Sequence, residues 1–154
     1  MRLYLMQHGT AERGDSDRQK TLTAEGREEV ERVARFLART APTKQGKVLH
    51  SGKTRARETA EVLASIDTNL EVDVTDGLDP LDDPIIWVQR AEQLTEALAL
   101  VGHLPHLQRL ASLLLAGNAD IPVVTFVNGG MVCLERSHEG VWTLRWSVVP
   151  WLLE

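Results

Sequence analysis

The sequence predicts an α/β fold: a three-layer sandwich with a mixed, mostly parallel central sheet flanked by helices. Two observations carry that prediction. Apolar runs of strand length alternate with amphipathic helical segments as far as Leu115. Beyond Ile121 the pattern changes to short strand-like runs punctuated by glycine, which indicates antiparallel hairpins.

Arg2 to Met6 is expected as a buried strand, because Leu3, Tyr4, Leu5 and Met6 form a near-continuous apolar run. Gly14 to Lys20 is polar and reads as a turn. A helix should start near Thr23, a good N-cap, with Glu25 in its positively polarised first turn. Val30, Val33, Ala34 and Leu37 recur at i, i+3, i+4 and i+7 and give it one apolar face. Lys47 to Ser51 reads as a second strand. A helix follows from about Thr54 to Ala64, with Ala56, Ala60 and Leu63 on one side. Leu70 to Val74 alternates apolar and acidic residues, the pattern of a half-exposed strand. "DGLDPLDDP" is a loop by its Gly, Pro and Asp content. Asp83 is placed to cap the next helix and Pro84 to open it, where a missing N–H costs nothing. Ala97 to Val101 is a strand ending in Gly102-His103, and Pro105 starts a helix carrying Leu107, Leu110, Ala111 and Leu114. Ile121 to Val127 and Met131 to Glu135 are expected as strands joined by a hairpin turn at Asn128-Gly129-Gly130. Val141 to Val149 is a last strand, with Trp142, Leu144 and Trp146 on one face.

The chain has 154 residues, 43% of them hydrophobic and 25% charged, which suits one domain over residues 1–154 with a sizeable core. A net charge of -5 argues against general nucleic-acid binding, since phosphate backbones attract basic faces. Cys133 is the only cysteine, so no intrachain disulfide can form. No apolar run approaches the roughly 18 residues that span a bilayer. The N-terminal apolar stretch, Leu3 to Met6, is too short for a signal peptide. A cytoplasmic monomer away from membranes is expected.

"LYLMQHG" and "LALVGH" have the same physical shape: each is an apolar strand ending in a histidine, with a helix to follow. In open α/β sheets the carboxyl ends of the strands line the ligand crevice. His8 and His103 are therefore expected to face each other across one pocket. The second strand ends at Ser51, and Arg55 follows near a helix start, where free N–H groups and the helix dipole favour an anion. Two imidazoles, a guanidinium and helix N-termini make a site for a phosphate dianion. An imidazole can attack phosphorus and split one hard transfer into two steps. A guanidinium and N–H donors offset charge on the transferring group. No metal or cofactor is needed.

These segments resemble the histidine phosphatase superfamily, also called phosphoglycerate mutase-like, and most of all its small SixA-type phosphohistidine phosphatases. The family opens with a strand into Arg-His-Gly, here Gln7-His8-Gly9. Its Ser-x-x-x-Arg-Ala-x-x-Thr-Ala signature matches "SGKTRARETA", Ser51 to Ala60. Its strand into Gly-His, often followed by x-Pro, matches "VGHLP", Val101 to Pro105. "LTAEGREEV" resembles the usual start of the first helix, and "LDPLDDP" the proline-containing loop before the third. The resemblance implies that His8 is the phosphoryl-carrying nucleophile, that His103 donates to the phosphate, and that Arg55 grips its oxygens. Gln7, Gly9, Lys20 and Ser51 complete the implied phosphate-binding set. The carboxylates available as proton donor are Asp79 and Asp82. The compact chain lacks the insertions that cap larger relatives, so a shallow pocket is expected. That favours a phosphorylated protein, with phosphohistidine as the labile group, over a small phosphate ester.

Gln7 departs from the pattern. It keeps N–H donors but loses the charge and fork geometry of arginine. Losing a transition-state donor typically costs about 10²–10³ in rate. A weakened site is expected, with Arg55 as its main fixed cation. Three outcomes stay open: a slow phosphatase, a phosphate-binding or regulatory module without turnover, or an altered substrate that needs less charge; a small-metabolite phosphatase is a further alternative. His50 and His106 read as ordinary strand and helix residues, His138 as solvated, and Cys133 as core.

Overall fold

Period-two alternation in the strands sorts the apolar side chains onto the two faces of one sheet. The computed structural model describes residues 1–41 and 46–153. Its six strands are β1 (Arg2–Gln7), β2 (Gly46–His50), β3 (Leu70–Val74), β4 (Leu98–Gly102), β5 (Met131–Arg136) and β6 (Trp142–Val148). They lie in the order β3-β2-β4-β1-β5-β6. The pairings among β3, β2, β4 and β1 are parallel, and β5 and β6 run antiparallel. Four helices cover the sheet: α1 (Ala24–Thr40), α2 (Thr54–Ile66), α3 (Ile85–Gln93) and α4 (His106–Ala116). Leu3, Leu5, Leu98 and Leu100 point to one face and pack with Trp87 and Ala91 of α3 and Leu107 and Leu110 of α4. Met6, Ala99 and Val101 point to the other and pack with Val30 and Val33 of α1 and Ala56, Ala60 and Leu63 of α2. Each fully buried Leu or Val contributes about 1.5–3 kcal/mol against conformational entropy. The predicted sandwich is therefore the observed one. No helix among the described residues is long and apolar enough to cross a membrane.

Local signals behaved as chemistry dictates at the helix starts. The Thr23 hydroxyl accepts the Gly26 N–H at 2.9 Å, and the Asp83 carboxylate accepts the Ile85 N–H at 3.1 Å. Two expectations fail. Residues 121–127 form no strand, so no hairpin turns at Asn128-Gly129-Gly130. Both edges of β5, the strand such a hairpin would need, are already taken by β1 and β6. The segment instead drops Val124 and Phe126 into the core without joining a ladder. The hairpin connects β5 to β6 through Ser137–Gly140, where Gly140 takes φ 84°. The second failure is the shared face of β6. A register shift pairs Cys133 with Trp146 but Leu134 with Leu144, so one residue bulges out and the alternation reverses. Trp142 consequently packs on the α3–α4 side and Trp146 against Tyr4 on the other, with ring centroids 5.9 Å apart.

Candidate active site

The order β2-β4-β1 sets three carboxyl ends side by side. Gln7 pairs with Gly102 and His50 with Val101, so His8, Ser51 and His103 emerge together just past the last paired residues. The His8 N–H donates to the Gly102 carbonyl at 3.2 Å. The His8 and His103 rings lie 5.0 Å apart between centroids, tilted by 51°. Ser51 Oγ is 2.6 Å from His103 Nε2, and the His103 carbonyl accepts the Leu107 N–H at 3.0 Å, fixing the residue between strand and helix. Arg55, in the first turn of α2, is only 7% exposed and donates from Nε to His8 Nε2 at 3.2 Å.

His8 is held from several sides. Its Nδ1 lies 2.7 Å from the Gly9 carbonyl, so Nδ1 carries the proton and Nε2 the lone pair. The Gly9 N–H donates to Thr59 Oγ1 at 3.0 Å, and that hydroxyl donates to the Arg55 carbonyl at 2.7 Å. Asn128 Nδ2 donates to the His8 carbonyl at 3.0 Å, and the Gly129 N–H to the Gln7 carbonyl at 3.0 Å. The glycine after the histidine has a steric reason. A Cβ on Gly9 would lie 2.8 Å from Val30 and 3.0 Å from the Gly26 carbonyl, and one on Gly26 would lie 2.2 Å from the Thr10 carbonyl oxygen. The two glycines let the first turn of α1 press against the loop that leaves His8.

Beside the imidazoles sits a knot of charge. Asp17 is in a 3₁₀ turn, Asp17–Gln19. Its carboxylate receives Lys53 Nζ on Oδ2 and Arg55 Nη2 on Oδ1, the latter at 3.2 Å, while its carbonyl accepts Arg55 Nη1 at 2.6 Å. Lys20 Nζ is 3.8 Å from Oδ1. The Lys53 bond, with help from the Arg55 charge, holds the Asp17 carboxyl below its ordinary range. Burial first, then the Arg55 and Lys53 charges, push His8 down to about 4 against the Gly9 hydrogen bond, which works the other way. Burial and the neighbouring His8, Arg55 and Lys53 push His103 down to about 3. Both rings are therefore neutral near pH 7.

Of the residues singled out in the sequence, His8, His103, Arg55 and Ser51 converge at one point, and Lys20 lines a groove with His8, Arg55 and Asn128. The Gly9 N–H is engaged by Thr59, so Gly9 touches the site through the carbonyl that orients His8. Gln7 Oε1 is buried with no hydrogen-bond partner among the described residues, as is His103 Nδ1. Asp79 and Asp82 line a second groove with Ser51 and Arg18. Asp79 Oδ2 pairs with Arg18 at 3.2 Å, Asp82 Oδ2 accepts the Asp79 N–H at 2.9 Å, and neither carboxylate bonds either imidazole. Arg55 is not the sole buried cation, because Lys53 is equally secluded at 7% exposure. Lys53, Asp17, Thr59 and Asn128 were not foreseen. Thr59 sits in the quoted signature, and Asn128 was read as a turn residue. His50 accepts the Gly52 N–H through Nδ1 at 3.1 Å, and Cys133 is fully buried, its thiol pushed up to about 11 by desolvation. A small apolar cleft of about 70 Å³ at the amino ends of β2 and β4, walled by Leu37, Leu63 and Trp146, lies far from this chemistry.

The fold and this constellation define a SixA-like, phosphoglycerate mutase-like α/β protein. The family model of the histidine phosphatase superfamily (branch 1) matches residues 3–82, and the chain belongs to that superfamily. An uncharacterized protein of Picosynechococcus sp. is 36% identical over 124 residues, covering 76% of this chain and 74% of that one. Among solved structures, the protein histidine phosphatase SixA complexed with tungstate superposes with a TM-score of 0.86 over 100% of both chains at 24% identity. The alpha-ribazole phosphatase from Shigella flexneri does so with a TM-score of 0.77 over 97% of this chain and 96% of that one, at 18% identity. At such identities the likeness speaks for the fold.

Proposed function

We propose that this protein is a phosphatase of the SixA type, hydrolysing phosphohistidine or a related phosphoryl group on a protein through a covalent phosphohistidine at His8. Membership of the superfamily supports phosphatase chemistry. One observation carries the assignment to His8: its ring is tied at Nδ1 to the Gly9 carbonyl, which turns the Nε2 lone pair toward Arg55. A neutral imidazole whose lone pair faces a fixed guanidinium is a nucleophile aimed where phosphoryl oxygens would be gripped. Nε2 gives up its hydrogen bond from Arg55, which turns to the phosphoryl oxygens, and attacks phosphorus; the substrate's P–N bond breaks, and its electron pair leaves on the substrate ring. That ring, protonated at its other nitrogen, departs as neutral imidazole. Water then attacks the phosphorus and gives a proton to solvent. The bond to Nε2 breaks, releasing inorganic phosphate and neutral His8.

Arg55 holds the equatorial oxygens in this scheme. The Ser51 hydroxyl donates its hydrogen bond to His103 Nε2, which leaves Nδ1–H, without a partner among the described residues, to donate to the phosphoryl group. Gln7 supplies an uncharged amide where an arginine would supply a fork, and Lys20 extends the positive rim. An ester substrate would need a proton on its leaving oxygen, for which we infer Asp79 or Asp82, carboxylates that line the groove beside Ser51. An open groove of about 450 Å³ runs past His8, and a second of about 610 Å³ reaches Ser51, which suits a side chain presented by a protein.

The test is to supply a phosphohistidine-bearing protein and a small aryl phosphate, and to trap the acid-labile adduct. Slow hydrolysis with an adduct on His8, abolished in His8→Ala, is expected. Equal inertness of wild type and His8→Ala with phosphate still bound would replace the enzyme by a phosphate-binding module. A clear preference for free esters would make the substrate a small metabolite.

A further inference from the structure

We propose that Lys53 is the second cation that grips the phosphoryl group, standing in for the arginine absent at position 7, and that Asp17 is the internal counter-ion which the phosphoryl group displaces. The inference rests on the phosphatase reading and names a residue that the motif comparison leaves as a spacer. Four observations support it. Lys53 is as buried as Arg55, at 7% exposure each, which is unusual for a lysine without a defined partner. Lys53 and Arg55 each take one oxygen of the same carboxylate, so their charges converge on a point that a phosphoryl edge, with its paired oxygens, would fit. Asp17 itself is about half exposed, at 54% for the side chain, and sits in a short 3₁₀ turn, so turning it out to solvent disturbs no buried packing. Lys53 also lies within electrostatic reach of both rings, lowering the proton affinity of each.

The physical logic is charge conservation at a changed position. A phosphoryl dianion between two neutral imidazoles needs more than one positive charge to offset its desolvation. Gln7 provides none, and its buried Oε1 has no donor among the described residues. Lys53 precedes α2 directly and reaches the cluster from the helix start, where the N-terminal dipole acts in the same sense. Asp17 keeps the two cations paired until the substrate arrives, at the cost of competing with it.

The experiment measures tungstate affinity by calorimetry and turnover of a small aryl phosphate, in wild type, Lys53→Met, Asp17→Asn, Gln7→Arg and the pairs Asp17→Asn/Lys53→Met and Gln7→Arg/Lys53→Met. Loss of a charge-assisted hydrogen bond predicts a roughly 10- to 100-fold weaker tungstate affinity in Lys53→Met. Removing the competing carboxylate in Asp17→Asn strengthens binding, by roughly 2- to 5-fold on the scale of one partly exposed charge pair. Gln7→Arg raises affinity more in the Lys53→Met background than in wild type, because the two cations serve one anion. Should Lys53→Met fold poorly around a carboxylate left with Arg55 and Lys20 alone, the Asp17→Asn/Lys53→Met pair removes both charges together and still binds tungstate roughly 10- to 100-fold more weakly than Asp17→Asn.

A Lys53→Met protein that folds and binds tungstate like wild type overturns the assignment. So does an Asp17→Asn loss equal to that of Lys53→Met, which would make the pair a mere brace, and so does an equal gain from Gln7→Arg in both backgrounds. If wild type forms the His8 adduct while Lys53→Met binds normally, only Lys53 loses its role. If wild type binds no tungstate and forms no adduct, the phosphatase reading falls with it.

Discussion

Acidification from pH 7 to pH 5 is expected to destabilise this protein before any carboxylate is protonated. The unfolded chain takes up a proton on each imidazole near 6.5, whereas folded His8 and His103 do so near 4 and 3. Between those values the unfolded state binds more protons, so stability is fully present above 6.5 and declines as pH falls toward the folded values. The slope is about 1.4 kcal/mol per pH unit for each ring. At pH 5 the loss is about 2 kcal/mol per imidazole and about 4 kcal/mol for the pair, a large share of the 5–15 kcal/mol typical of a domain. Burial lowers His50 and His106 as well, and they act in the same direction. Asp17 does not contribute in this window. Its pKa is lowered from 3.8, so its stabilisation begins to fade only below that value. Urea titrations followed by the fluorescence of buried Trp87 and Trp142, at pH steps from 7 to 5, measure the effect. The informative comparison is His103→Asn. Whatever that variant does to stability at pH 7, its loss between pH 7 and 5 should be smaller than that of wild type by about 2 kcal/mol. Parallel profiles would refute the claim that the fold holds His103 neutral by burial.

Two further outcomes follow from the clamp on His8. Thr59→Val keeps shape but leaves the buried Gly9 N–H without its acceptor, which costs about 1–3 kcal/mol. Thermal melting should show a fall of roughly 2–4 °C per kcal/mol, with slower turnover as His8 loosens, and Thr59→Ser should restore both. Gly26→Ala gains up to about 1 kcal/mol of helix propensity. It nevertheless sets a methyl 2.2 Å from the Thr10 carbonyl oxygen. A net loss of about 1–2 kcal/mol in the unfolding free energy from urea titration is expected, since backbone must move to relieve the overlap.

How far the sequence could be read depended on which forces act locally. The strands of the parallel half announce themselves because both faces are buried and the apolar runs are continuous, as in Leu98–Val101. Helix starts are written in single residues, such as Thr23. The meeting of His8 with His103 was legible because strand ends in an α/β sheet share one edge. Residues 121–127 misled because Val124 and Phe126 alternate as a strand does, although nothing local says that both edges of β5 are taken. The bulge in β6 is equally silent, since a register shift depends on the partner strand. Lys53 and Asp17 stayed hidden for the same reason. A lysine before a helix and an aspartate in a polar turn look like solvated surface, and only the tertiary fold carries the turn back over α2.

The protonation pattern narrows the chemistry that this arrangement can perform. An imidazole that shuttles protons near pH 7 needs a pKa near 7 and access for the proton at both ends of its cycle. His8 has neither: it titrates near 4, and its Nδ1 proton is held by the Gly9 carbonyl. What remains is one lone pair, at Nε2, fixed by a ring that cannot easily turn and bordered by buried positive charge. Such a nitrogen is a poor general acid and a good nucleophile toward an electrophile that carries negative charge. The cations that depress its proton affinity would also attract an anionic group to it, so the feature that silences acid–base chemistry is the one that favours phosphoryl transfer. Removing Arg55 and Lys53 together would leave the larger effect of burial in place but lift the part of the depression due to charge, so it would weaken anion binding and make the imidazole easier to protonate at once, two changes that act in the same direction on turnover.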